Sequence, residues 1–123
     1  MKKNKLPNKI PIFPLSNFII FPQTSVPLNI FEPRYIQMID DVMRGNKIIG
    51  MVQPKKKNEK IPTLYEVGCA GKISSFNETE DGRYLIIING ISRFKIEKEL
   101  NSEKKYRECN INFNAYTNDL INE

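Results

Sequence analysis

From Leu64 onward the chain reads as β-structure alone, and this half limits most tightly what the whole can become. Val67, Cys69, Gly71 and Ile73 alternate with Gly68, Ala70, Lys72 and Ser74; Cys109, Ile111, Phe113 and Ala115 alternate with Glu108, Asn110, Asn112 and Asn114. A period of two puts every second side chain on the same face of a strand, so each segment offers one face to a core. Asp81-Gly82 is a strong hairpin signal, and Asn89-Gly90 reads as a second turn. Between them Tyr84-Leu85-Ile86-Ile87-Ile88 is continuously apolar, which predicts a central strand covered on both faces. Phe94 and Ile96 should point inward from the strand that follows.

The first third is extended and punctuated by proline. Ile10-Pro11-Ile12-Phe13-Pro14-Leu15 and Phe18-Ile19-Ile20-Phe21-Pro22 are short apolar runs, and residues 24–30 make another strand that contains Pro27. Proline donates nothing to a ladder, so these strands are expected at edges or at bulges. One helix follows. Pro33 suits a first helical position, and Glu32 precedes it at the positive end of the helix dipole. Tyr35, Ile36, Ile39, Val42 and Met43 share a stripe, whereas Arg34, Gln37, Asp40, Asp41 and Arg44 are expected to face water. Gly45 should supply a left-handed stop. Residues 47–53 form a further strand and 54–63 a loop. About seven strands with one amphipathic helix predict a mainly β (α+β) fold, a small open or closed barrel.

Composition removes most chemistry. The 123 residues include no histidine, which excludes Ser-His-Asp triads, Cys-His dyads and His-ligated zinc. No glycine run fits a phosphate loop, and Cys69 and Cys109 are too far apart for a CxxC motif. No cofactor is expected, and both cysteines should be buried, reduced thiols. The net charge of +5 is segregated: Lys2, Lys3, Lys5 and Lys9 crowd one end, and Lys55, Lys56, Lys57 and Lys60 crowd the loop. The rest of the chain is slightly acidic. The apolar stretch 10–21 is broken by Pro11, Pro14 and Asn17, without the small-residue cleavage site of a signal peptide. No run approaches the roughly 20 apolar residues of a membrane span. A cytoplasmic protein with no membrane partner is the expectation.

Several segments in order carry a resemblance. They are Ile10 to Leu15, Phe21-Pro22, Val26-Pro27-Leu28, Ile30-Phe31-Glu32-Pro33-Arg34-Tyr35, Leu64-Tyr65-Glu66-Val67-Gly68-Cys69, Asp81-Gly82-Arg83-Tyr84 and Gly90-Ile91-Ser92-Arg93-Phe94. From about Ile10 to Phe113 the chain resembles the N-terminal, substrate-binding domain of Lon-type ATP-dependent proteases, which also occurs as a stand-alone bacterial protein and in cereblon. The Phe31 to Tyr35 block looks closer to the stand-alone form. The resemblance implies a PUA-like pseudo-barrel and a non-catalytic module that recognises exposed apolar or extended polypeptide and supports assembly. Unfolded or extended polypeptides are thus the implied partners, with a second copy of the chain as a further one. Neither an ATP-binding nor a Ser-Lys protease module is present, so proteolysis does not follow. Residues 1–8 are expected as a basic tail, 9–116 as the domain, and 117–123 as the start of a helical subdomain that is truncated or missing.

Within this frame the candidate polypeptide-binding residues are Phe18, Ile20, Phe31, Glu32, Arg34, Tyr35 and Arg93. Glu32 and Arg34 either polarise the rim of a groove beside Phe31 and Tyr35 or form an ion pair that fixes the strand-to-helix corner. Arg93 either faces a partner or packs structurally over an aromatic ring. Phe18 to Phe21 either lie under cover or present an apolar patch. Two rival readings stand beside polypeptide binding. One is an RNA-binding PUA-like module using Lys55, Lys56 and Lys57 as phosphate contacts; the other is an oligomerisation or adaptor domain. No aromatic RNA-binding signature accompanies the lysines, which puts nucleic acid behind polypeptide.

Overall fold

A computed structural model describes residues 6–16, 20–56 and 63–120. Six strands and two helical segments follow in order: β1 (Lys9–Pro14), β2 (Ser25–Ile30), α1 (Pro33–Met43), β3 (Ile48–Val52), β4 (Val67–Glu78), β5 (Tyr84–Glu99), β6 (Arg107–Asn112) and a 3-10 helix (Asn114–Leu120) kinked at Tyr116. The sheet order is β2-β5-β4-β3-β1-β6, and β6 pairs back onto β5. The first half of β5 lies between β2 and β4, and its second half between β4 and β6. Pairing therefore closes through β5-β4-β3-β1-β6 into a small barrel, with β2 extending one side. The mainly β fold with one amphipathic helix is the one read from the sequence.

Strand β5 explains why the described residues give six strands. Asn89-Gly90 is no turn: the strand runs through it for 16 residues. Its partner β4 changes register between Ala70 and Gly71, and again between Ile73 and Ser75, and such bulges bend a long strand so that it can serve two partners. Gly90 is small for a reason of close approach. A Cβ there would lie 2.1 Å from the Phe21 carbonyl oxygen. The turn at Asp81-Gly82 does form, with Gly82 at φ 83°. There the Thr79 hydroxyl donates to Asp81 and accepts from the Arg83 N–H at 3.0 Å.

Proline placement holds at β2, an edge strand in which Pro27 sits opposite Ile87. It fails at β1, which has a parallel neighbour, β3, and an antiparallel one, β6. The two neighbours are staggered: β6 covers Lys9 to Ile12, and β3 covers Ile12 to Pro14. Pro11 thus faces only β6, and Pro14 ends the strand. The apolar run at Phe18 lies partly outside the described residues; Ile20 to Pro22 are irregular backbone.

The core has two compartments. Inside the barrel, Ile10, Ile12, Val52, Cys109 and Ile111 surround Phe94, which is fully buried. Outside it, α1 lays Tyr35, Met38, Ile39 and Val42 against the sheet. Burying each of these is worth roughly 1.5–3 kcal/mol, and α1 has no side-chain cap, so packing holds it in place. Strand β3 is covered on both faces, all five residues being buried. The continuous apolar stretch of β5 is not: Tyr84, Ile86 and Ile88 are buried while Leu85 and Ile87 are exposed. Nor do Asp40 and Asp41 simply face water. The Tyr84 hydroxyl donates to Asp40 at 2.7 Å and the Tyr106 hydroxyl to Asp41 at 2.5 Å, so two tyrosines clamp the helix. Gly45 has no left-handed φ; Lys47, at φ 64°, makes that turn. The last strand ends at Asn112, leaving Ala115 in the 3-10 helix. Glu108, expected outward, is buried beside Lys104 at 3.5 Å.

Candidate functional site

Where β1 and β3 finish and β4 begins, the surface sinks into an apolar groove of about 310 Å³. Three strands supply its floor in one row: Met51 of β3 pairs with Cys69 of β4, and Cys69 with Arg93 of β5. Gly68, next to Cys69 in the strand, is small for a reason on the other face: a Cβ there would lie 2.6 Å from Val52 Cγ2 and 2.8 Å from Phe94 inside the barrel. The segment Ile20-Phe21 makes one wall, and Tyr65 and Val67 stand across the groove. Ile20 is 6% exposed, whereas Phe21, Tyr65 and Val67 are 58%, 49% and 41% exposed. Large apolar side chains held in water beside a depression are what a binding surface presents.

The Phe21 wall is held by hydrogen bonds rather than by regular structure. The Gln23 N–H donates to the Gly90 carbonyl at 2.8 Å, and the Gly90 N–H to the Thr24 carbonyl at 2.8 Å. The Thr24 hydroxyl donates to the Phe21 carbonyl at 2.7 Å. Gln23 takes a left-handed φ of 64° to make this corner. The bend of β5 at Gly90 and the position of Phe21 are thus one feature.

Arg93 is the one charged residue that lines the groove among the described residues. Its backbone N–H and Nε donate to Asp119 Oδ2 at 2.9 and 3.0 Å, and its Nη2 to Asp119 Oδ1 at 3.0 Å. Its guanidinium lies 4.7 Å from the centre of the Tyr116 ring. These hydrogen bonds from Arg93 hold the Asp119 carboxyl below its usual range. Cys69 in the floor is no nucleophile: burial, then the nearby Asp119 charge, pushes its thiol up to about 12. Cys109, also free and buried, is pushed up to about 11 by burial. No group of three or more His, Cys, Asp or Glu among the described residues is placed to hold a metal. No helix among them is long and apolar enough to cross a membrane.

Two of the candidate polypeptide-binding residues, Ile20 and Arg93, line this groove, together with Phe21 from the same apolar run as Ile20. The helix-start group does not. Glu32 and Arg34 form an ion pair at 3.0 Å, and the Arg34 guanidinium lies 4.8 Å from the centre of the Tyr35 ring. Tyr35 is buried with its ring 4.6 Å from that of Phe13; Phe31 is exposed apart from the groove. Glu32 and Arg34 thus pair with each other at the strand-to-helix corner, away from the groove. Arg93 packs over the Tyr116 ring and also lines the groove. Phe18 and Lys57 lie outside the described residues, and Lys55 and Lys56 are exposed. Sequence reasoning missed Tyr65, Val67 and Asp119. The first two lie in the segment Leu64 to Cys69, already singled out for its resemblance; Asp119 had no signal, being 26 positions from its partner.

Comparison with known proteins agrees with this architecture. Residues 9–120 match the family described as the ATP-dependent protease La (LON) substrate-binding domain. The chain is 31% identical over 114 residues to the Lon protease of Flavobacterium johnsoniae, covering 90% of this chain and 14% of that protein. It is 30% identical over 106 residues to the Lon protease of Cytophaga hutchinsonii, covering 84% and 13%. The chain thus spans about one seventh of the length of these relatives. Its fold is similar to the Lon N-terminal domain protein from Xanthomonas campestris, with a TM-score of 0.69 at 21% identity, covering 85% of this chain and 59% of that one. It is also similar to the N-terminal domain of the Mycobacterium avium complex Lon protease, with a TM-score of 0.68 at 13% identity, covering 85% and 54%. The chain belongs to the Lon substrate-binding domain family.

Proposed function

We infer that the groove between Phe21 and Tyr65 holds exposed apolar segments of polypeptide, and that the chain does so without catalysing a reaction. The observation that carries this reading is the exposure of Phe21, Tyr65 and Val67 around a floor of Met51 and Cys69. Family membership supports it, because the family is described by substrate binding. At about 310 Å³ the groove has room for one or two large side chains, so affinity at a single site is expected to be modest and apolar in origin. A polypeptide bearing several such segments would gain by multivalency. The cytoplasm, where unfolded chains with reduced thiols are found, is the setting that fits this role.

The test is fluorescence anisotropy of a labelled, permanently unfolded polypeptide titrated with the chain at low and moderate salt. Saturable binding that survives added salt is expected. Tyr65→Ala and Phe21→Ala should each weaken it by about five- to thirtyfold, the range of anchor truncations, with the thermal melt unchanged. Binding that collapses with salt and survives both substitutions would instead point to the lysine-bearing loop and to nucleic acid.

A further inference from the structure

Resting on the groove reading above, we propose that Asp119 is a specificity-determining residue. It offsets the one charge that lines the groove among the described residues, so that the groove accepts uncharged apolar segments and gains nothing from acidic ones. A lone arginine beside an apolar depression would select ligands that pair an apolar side chain with a carboxylate. Here that selection is already spent inside the molecule. Both Asp119 oxygens are engaged by Arg93, through Nε and Nη2 at 3.0 Å each and through the backbone N–H at 2.9 Å. The two ends differ in exposure: the Asp119 side chain is 9% exposed and that of Arg93 50%. The carboxylate is thus tucked under the guanidinium, which keeps its outer edge in water.

Arg93 is nonetheless left with something to offer. A guanidinium has five N–H donors, and Asp119 takes two of them. The others, on a head whose charge is offset, suit the carbonyl oxygens of a docked backbone, which every polypeptide carries. The Tyr116 ring beneath the guanidinium fixes its plane. Asp119 and Tyr116 both belong to the 3-10 helix Asn114–Leu120, so this short C-terminal element sets the polar character of a groove built by strands far earlier in the chain. Asp119 is a positioning residue for Arg93 and does not itself line the groove.

The experiment uses two labelled peptides with a Leu-Phe-Leu core in a Gly/Ser background, one flanked by Asp and the other by Asn. Each is titrated with the wild-type chain, Asp119→Asn, Asp119→Glu and the double variant Arg93→Gln/Asp119→Asn. Wild type should bind the two peptides within about twofold of each other, at low and moderate salt alike. Asp119→Asn should shift the ratio toward the acidic peptide by about three- to fivefold, the range of a half-exposed ion pair, and added salt should erase the shift. Asp119→Glu should keep the wild-type ratio, and the double variant should restore it, which simple loosening of the C-terminal helix would not do. An unchanged ratio in Asp119→Asn, with binding retained, overturns the proposal and leaves the groove reading standing. Failure of wild type to bind either peptide overturns both. Should Asp119→Asn not fold, as read by circular dichroism, wild type still decides: a salt-sensitive preference for the acidic peptide overturns the proposal, and indifference supports it.

Discussion

Asp119 Oδ2 accepts hydrogen bonds from both the backbone N–H and the Nε of Arg93, at 2.9 and 3.0 Å, so a single carboxylate oxygen fixes main chain and side chain of one residue together. This contact ties the C-terminal 3-10 helix to β5 at the row that floors the groove. The helix buries no residue of its own. Its attachment therefore depends on Arg93 more than on packing.

The attachment should be lost in acid. Arg93 lowers the folded-state pKa of Asp119, while the unfolded carboxyl keeps a value of about 3.9. A depressed folded pKa gives stability that is present in full above the unfolded pKa and disappears as pH falls through the folded one. Thermal melts of wild type and Asp119→Asn should differ by a constant amount from neutral pH to about pH 5 and converge below about pH 4. A difference that persists unchanged in strong acid would show that the ion pair is not its source.

Gly90→Ala tests whether the bend of β5 and the Phe21 wall are a single feature. The added methyl would sit 2.1 Å from the Phe21 carbonyl oxygen and 3.2 Å from Ile20 Cγ2. The first of these is backbone and cannot rotate away. The loop must lift, breaking the paired bonds of Gln23 and Thr24 with Gly90. We expect a loss of about 1–3 kcal/mol in urea unfolding, accompanied by weakened peptide binding. Gly45→Ala, where the nearest atom is 3.9 Å away and φ is ordinary, should cost little and serves as the control.

Such coupling shows what the sequence could and could not disclose. Alternation revealed β4 and β6, and helical spacing revealed α1, because each pattern reflects local geometry that repeats within a few residues. Gly90 was misread because a glycine after asparagine signals a turn by local chemistry, while its actual reason is a contact with Phe21, 69 residues earlier. Asp40 and Asp41 looked like solvent-facing charges because their tyrosine partners lie 44 and 65 residues away. The same applies to the groove. Arg93 and Ile20 stood out individually, but only the pairing of β4 with both β5 and β3 brings Arg93 into one row with Cys69 and Met51, and the return of the chain after β6 brings it to Asp119.

The tyrosine clamp on α1 gives the protein an alkaline limit. The hydrogen bond to Asp40 is the main cause that raises Tyr84, to about 12, and burial followed by the bond to Asp41 raises Tyr106 further. A folded pKa raised above its unfolded value gives stability that is complete below the unfolded pKa, about 10 for tyrosine, and is lost as pH climbs toward the folded one. Stability should therefore fall between about pH 10 and 12. Tyr84→Phe and Tyr106→Phe should each cost about 1–2 kcal/mol at neutral pH and flatten that fall. Absorbance titration of the folded chain should show late-ionising phenols, one of which each of these substitutions removes.

Both thiols should be silent until the fold opens. Cys69 is 3% exposed in the groove floor and Cys109 1% exposed inside the barrel, with pKa values near 12 and 11. At pH 8 almost none of either is thiolate, and a disulfide reagent needs the thiolate and a path to it. Native chain treated with such a reagent should release no measurable thiol, and chain in concentrated denaturant two equivalents, one per cysteine. The two sites differ in what opens them. Cys109 is buried in the barrel wall at the floor of a second depression, beside Ile96 and Arg107, and should react only when the barrel opens. Cys69 lies under the Phe21 wall, so Gly90→Ala should speed its reaction while leaving Cys109 as slow as global stability allows. Equal acceleration at both cysteines would mean that the wall does not move independently of the barrel.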